Sequence, residues 1–167
     1  MKTYISLLIL LSILCGCEDY MFIHATLNKI CKLSNKKYGM SVCGSGVAAP
    51  GIIKNFRLSF DKFGEYNEDQ ARKLIVDFTE DFIITVKNTP EVLEYMENPP
   101  VNENHAFFLI VFKDSHNKYQ EKLSAVCLAN GEVDFNTSDE HGFNKYYCEP
   151  YSETYFKVYG TQPPERK

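Results

Sequence analysis

The sequence predicts an α+β fold, an antiparallel sheet of about four to five strands with helices packed on one face. Three observations carry this. An amphipathic stripe, Ala71, Leu74, Ile75, Phe78 and Phe82, marks one long helix. The run Ala106 to Phe112 (AFFLIVF) is apolar on both faces, as a central strand is, and the Asn130-Gly131 dipeptide downstream marks a tight hairpin. Helical patterns are grouped between runs of strands rather than alternating with them, so a nucleotide-binding α/β arrangement is not expected.

The elements follow in order. A first helix starts near Tyr20, with Ile23, Leu27, Ile30 and Ser34 on one face and Cys31 beside them, and it stops at Gly39. Ser41 to Ala48 is small and compatible with a strand, and Pro50-Gly51 marks a turn. Ile52 to Phe63 alternates, with Phe56, Leu58 and Phe60 on one side and Arg57, Ser59 and Asp61 on the other, which is a half-buried strand. Asn67 caps the long helix and Gln70 completes a capping box. Thr89-Pro90 opens a short helix with Val92, Tyr95 and Met96 inward, closed by Pro99-Pro100. Lys122 to Ala129 and Glu132 to Thr137 are the arms of the hairpin, and Ser138 to Asn144 reads as polar loop. Tyr151, Tyr155 and Tyr159 recur every four residues, which favours a closing helix over a strand.

The first residues have a different character. Lys2 is followed by a ten-residue apolar run, Ile5 to Leu14, and then Leu14-Cys15-Gly16-Cys17. The run is shorter than the roughly 20 residues that span a bilayer and fits the apolar part of a cleaved signal. Residues 1–16 are therefore expected to be a lipoprotein-type signal, 17–22 the lipid-attachment Cys17 and a spacer, 23–160 a single α+β domain, and 161–167 a flexible tail. This places the protein at the cell envelope, outside the cytoplasm, attached to a membrane through lipid on Cys17. A chain that is cleaved but not lipidated, a secreted inhibitor or effector, is the alternative.

Loss of residues 1–16 removes one charged side chain, Lys2, and takes the formal charge from −4 to −5. An acidic balance argues against nucleic acid and against direct adhesion to anionic headgroups. The remaining cysteines, Cys31, Cys43, Cys127 and Cys148, are even in number, and an oxidising compartment makes them disulfide candidates. Three pairings exist, and Cys31 with Cys43 would tie the first helix to the strand after it. Their spacings are too long for a paired-cysteine metal site.

Several motifs with chemical meaning have simpler readings. Gly44-Ser45-Gly46-Val47-Ala48-Ala49 has the letters of a dinucleotide loop, but Pro50-Gly51 interrupts where a helix must begin. It reads instead as a small-residue strand or turn close beneath a helix. Asp134 to Ser138 resembles the start of a calcium loop, yet Asp139 and Lys145 stand where glycine and glutamate are needed. Asn136-Thr137-Ser138 is a glycosylation sequon. His24, His105, His116 and His141 read as surface residues, and His105 and His116 are held about 35 Å apart by the strand between them. Glu80 and Asp81 are expected on the solvent face of the long helix. No catalytic residue, cofactor or metal ligand is assigned. The Tyr151, Tyr155 and Tyr159 stripe is a candidate partner face, since tyrosine suits surfaces that bind yet stay soluble.

The Leu14-Cys15-Gly16-Cys17 leader, the Gln70-Ala71-Arg72-Lys73-Leu74 helix start with Phe78 and Phe82, the Asn130-Gly131 hairpin and the Glu153-Thr154-Tyr155 segment together resemble small uncharacterised lipoproteins of obligate intracellular bacteria. The resemblance implies a lipid anchor and supplies no catalytic residue. The expected role is a non-enzymatic binding or structural module whose partner is an envelope or host protein.

Overall fold

The computed structural model describes residues 21–48 and 51–166. The leader, Cys17 and the Pro50 turn lie outside the described residues. The chain order is helix α1 (21–38), strands β1 (Met40–Ala48) and β2 (Asn55–Phe63), helices α2 (Glu68–Lys87) and α3 (Pro90–Leu93), then β3 (Ala106–Lys113), β4 (Ala125–Ala129), β5 (Glu132–Asp139), β6 (Gly142–Pro150) and helix α4 (Tyr151–Tyr159). The six strands form one sheet in the order β1-β2-β3-β4-β5-β6. The fold is α+β and its sheet is mostly antiparallel.

Two features differ from expectation. The β2–β3 pair is parallel, Phe56 opposite Ala106 through Phe63 opposite Lys113, because α2 and α3 carry the chain back across the sheet. The segment expected to be loop after Ser138 is instead the turn into a sixth strand. Residues 142–148 are exposed throughout and β6 is an edge strand, so no apolar alternation betrays it.

Local chemistry sets the main elements. The Asn67 side chain accepts from the Gln70 backbone at 2.9 Å, and Gln70 Oε1 accepts from the Asn67 backbone at 3.0 Å. Asn130 and Gly131 both hold positive φ, 52° and 76°, as the two-residue β4–β5 turn requires. One face of the sheet carries Phe56, Leu58, Phe60, Phe108, Ile110, Phe112, Val126, Leu128, Val133 and Phe135, and these join the inward residues of α1, α2 and α3 in a single core. Phe78 is its hub, with ring centroids 5.6 Å from Tyr38, 5.0 Å from Phe60 and 4.9 Å from Phe108.

Helix α4 is fastened to α2 by polar contacts as well as rings. Arg72 Nε donates to Glu149 at 2.9 Å and its Nη atoms to Asp69 and Glu68, while Lys157 Nζ reaches Glu149 at 2.5 Å. Burial alone would raise the Glu149 pKa; Lys157 and Arg72 outweigh it and hold the carboxyl below the usual range. Glu80 and Asp81 are not on a bare solvent face. Glu80 accepts from Tyr151 Oη at 2.8 Å and from Arg166, and Asp81 from Tyr38 Oη and Lys37 Nζ, each at 2.6 Å. The tail expected to fray is thereby tied back at Arg166. Among the described residues no helix is long and apolar enough to cross a membrane.

Candidate functional site: the uncovered face of the sheet

With the helices on one side, the register lays out the other. One row crosses it as Gly44, Ser59, Leu109, Cys127, Asp134 and Cys148. The neighbouring rows bring up Gly46, Arg57, Phe107 and Glu132 on one side, and Asp61, Val111, Ala125, Asn136 and Lys145 on the other. No helix among the described residues lies over these rows.

The Gly-Ser-Gly segment lies within β1, an edge strand whose Met40 and Val47 face the helix-covered core. Its glycines leave a trough on the uncovered face, a cavity of about 320 Å³ bounded by Gly44, Gly46, Arg57, Ser59, Phe107 and Leu109. A Cβ at Gly44 would stand 2.8 Å from Ser59 Oγ, so a side chain there would require the Ser59 hydroxyl to turn away. The Arg57 guanidinium lies 5.8 Å from the Phe107 ring centroid and donates to Asn55, which fixes it along the trough wall. Phe107 is 39% exposed, an unusual state for a phenylalanine in an interior strand. At the far end the Tyr119 and Phe143 rings meet 5.3 Å apart, and Val111 and Ala125 are buried there.

The strip beside the trough is polar. Ligand atoms of Glu132, Asp134 and Cys148 lie within 4.8 Å of one another. They are the one group among the described residues that could hold a metal, but Lys145 Nζ already stands 3.1 Å from Asp134 as the counter-cation. A hydrogen bond to Asp134, burial and the Asp134 and Glu132 charges push the Cys148 thiol up to about 11. Burial and the Asp134 charge push Cys127 to about 11 as well. Burial followed by a hydrogen bond to Asp61 raises Cys43, and burial raises Cys31. Each of these four thiols is thus held protonated at neutral pH, the opposite of an activated nucleophile.

The disulfides expected from the even cysteine count do not form; all four thiols are free. The reason is topological. Cys31 packs against the core on the helical side, whereas Cys43 interacts with Asp61 on the other. Cys127 and Cys148 sit on β4 and β6 with Asp134 of β5 between them, about 10 Å apart by strand spacing, beyond disulfide reach. Cys43 on β1 is further still from both.

Tyr151 is buried and Tyr155 half-buried against α2, and Tyr159 donates to Asp77, so the tyrosine stripe closes the core rather than presenting a continuous partner face. Burial and the adjacent Glu80 charge raise the Tyr151 pKa far above its ordinary value. His24, His116 and His141 are exposed, but His105 is buried, with Nε2 2.7 Å from the Glu97 carbonyl. The calcium-like segment is strand β5, and Asn136 of the sequon is buried with its amide donating to the Asp134 carbonyl, closed to glycosylation in the folded state. The trough had no signature in the sequence, because it depends on the β1–β2 register and on the bulge between Val42 and Gly44. Comparison with known proteins finds no family model, no curated protein and no solved structure that matches the chain.

Proposed function

We propose that this protein is a non-enzymatic binding module that works outside the cytoplasm, tethered by lipid on Cys17, and that the uncovered sheet face meets an envelope or host protein. The observation that carries the reading is the asymmetry of the sheet. One face is sealed by helices, and the other leaves Phe107 at the rim of a trough with Arg57 beside it. Aromatic and arginine side chains at a shallow concavity are the groups that dominate protein–protein contacts. The acidic balance of the chain favours a protein partner over nucleic acid or anionic lipid.

The test is site-specific photo-crosslinking in the native host. A photoreactive residue at Phe107 is expected to give discrete adducts. The same residue at Ile84, exposed on α2 on the helical side, is the control and is expected to give none. Equal labelling from both positions, or none from Phe107, refutes the assignment of the face.

A further inference from the structure

At one end of the sheet, next to the trough across the Arg57–Asn55 hydrogen bond, four separated segments converge on a second cavity of about 400 Å³. They are the entry to β2 (Lys54, Asn55), the end of the α3 segment (Glu97, Asn98), the turn before β3 (Asn102, Asn104, His105) and the β4–β5 hairpin tip (Asn130). No apolar side chain lines it. We infer that this cleft binds a neutral saccharide. The inference is independent of the sheet-face reading above.

The lining matches a sugar in hydrogen-bonding character. A sugar hydroxyl both donates and accepts, and so does a primary amide, so vicinal hydroxyls pair with asparagine at either end. This lining is dominated by amides and balanced in charge, with one lysine and one carboxylate. A phosphate or sulfate ligand would call for several cations, and an apolar ligand for a lining this cleft lacks. Among the described residues, the side chains of Lys54, Glu97, Asn98 and Asn130 have no hydrogen-bond partner within the chain, which leaves them for a ligand.

The cleft is also held in place before any ligand arrives. His105 is 5% exposed beneath it. With the proton on Nε2 it donates to the Glu97 carbonyl at 2.7 Å, and its Nδ1 accepts from the Asn102 backbone at 3.3 Å. One buried ring therefore fixes two of the four segments. The hairpin tip comes close as well: a Cβ at Gly131 would lie 2.7 Å from Asn104 Oδ1, so the glycine leaves the space that the Asn104 side chain occupies. Asn98 and Asn130 both adopt the left-handed backbone region, at φ 54° and 52°, which asparagine tolerates and most residues do not. A backbone frame fixed in advance spares part of the ordering cost that otherwise consumes weak polar binding.

The experiment is a titration of the isotope-labelled full chain with N-acetylglucosamine, read from side-chain and backbone amide resonances. Saturable shifts confined to Asn55, Asn98, Asn102, Asn104, Asn130 and Gly131 are expected, in the millimolar range because no phenylalanine, tyrosine or tryptophan lines the cleft. Asn98→Gly keeps the backbone conformation and removes the amide, and is expected to weaken binding roughly three- to tenfold. Asn104→Ala is expected to do the same, and Ile84→Glu, on the exposed side of α2, to leave the shifts unchanged. Absent or non-saturating shifts overturn the inference. So does saturation by glycine or inorganic phosphate in place of the sugar, which would mark a zwitterion or anion site.

Discussion

Removal of Arg72 probes the closure of the fold where α2, β6 and α4 meet. In Arg72→Met the guanidinium leaves Glu149, which is 1% exposed, with Lys157 as its remaining cation. The ion pairs of Arg72 with Glu68 and Asp69 face solvent, and each is worth less than about 1 kcal/mol. The pair with Glu149 is buried, and breaking such a pair from one side costs about 3–5 kcal/mol. Lys157 stays 2.5 Å from the carboxylate, so the lower end applies, about 3 kcal/mol. In a chain of this size that corresponds to a fall in Tm of roughly 6–12 °C. The double variant Arg72→Met/Glu149→Leu removes both charges and is expected to recover most of the loss, to within about 1 kcal/mol of the parent. Urea and thermal unfolding followed by circular dichroism measure all three proteins. The pH dependence follows from the depressed Glu149 pKa. A carboxyl held low when folded stabilises above its unfolded value, and that contribution is lost as pH falls through the folded value. The parent should therefore weaken below about pH 4, and the double variant should weaken less. An Arg72→Met protein within about 1 kcal/mol of the parent, or a double variant no better than the single, refutes the reasoning.

Three further outcomes are expected. Phe78→Ala removes the ring shared by Tyr38, Phe60 and Phe108 and should cost about 4 kcal/mol in urea unfolding, while Phe156→Ala, half-exposed on α4, should cost under about 1 kcal/mol; similar losses would contradict the position of the core. Burial and neighbouring carboxylates raise the pKa of Tyr38 and Tyr151, so their stabilising contribution is intact below the unfolded tyrosine value near 10 and is lost above it. Phenolate absorbance should show these two ionising only as the fold melts, and a smooth titration of Tyr38 and Tyr151 with the other tyrosines while the fold stays intact would contradict it. Cys148, though exposed, should react with an aromatic disulfide reagent about tenfold more slowly than an ordinary thiol, since its higher nucleophilicity offsets only part of the reduced thiolate fraction. Asp134→Asn should restore the rate, and an unchanged rate would show that the carboxylate does not control the thiol.

Local signals were legible wherever a short stretch determines its own geometry. Asn67 with Gln70, Asn130-Gly131 and the apolar stripe of α2 each announce one element, and each lies where the pattern placed it. What escaped depends on distant partners. Strand β6 has both faces in contact with solvent and is a strand because β5 pairs with it. The parallel β2–β3 pair follows from the path of α2, which no local pattern encodes. The even cysteine count was a compositional signal, and topology separated the thiols across two faces and several strands. Tyr151 illustrates the same limit in side-chain chemistry. Its four-residue repeat correctly marked a helix, but only the position of Glu80 on α2 shows that its hydroxyl is satisfied inside the protein. The trough likewise exists because a bulge brings two glycines of β1 opposite Arg57 and Ser59.

The location of the protein and the class of its partner both depend on Cys17, so the most direct measurement is the intact mass of the protein purified from its own host without reduction. The account predicts a chain that begins at Cys17, carries added acyl mass, and shows no deficit of hydrogens at Cys31, Cys43, Cys127 and Cys148. An unacylated N-terminus would contradict the anchored reading and make this a free protein. A mass lower by two or four hydrogens would contradict the separation of the thiols by the sheet.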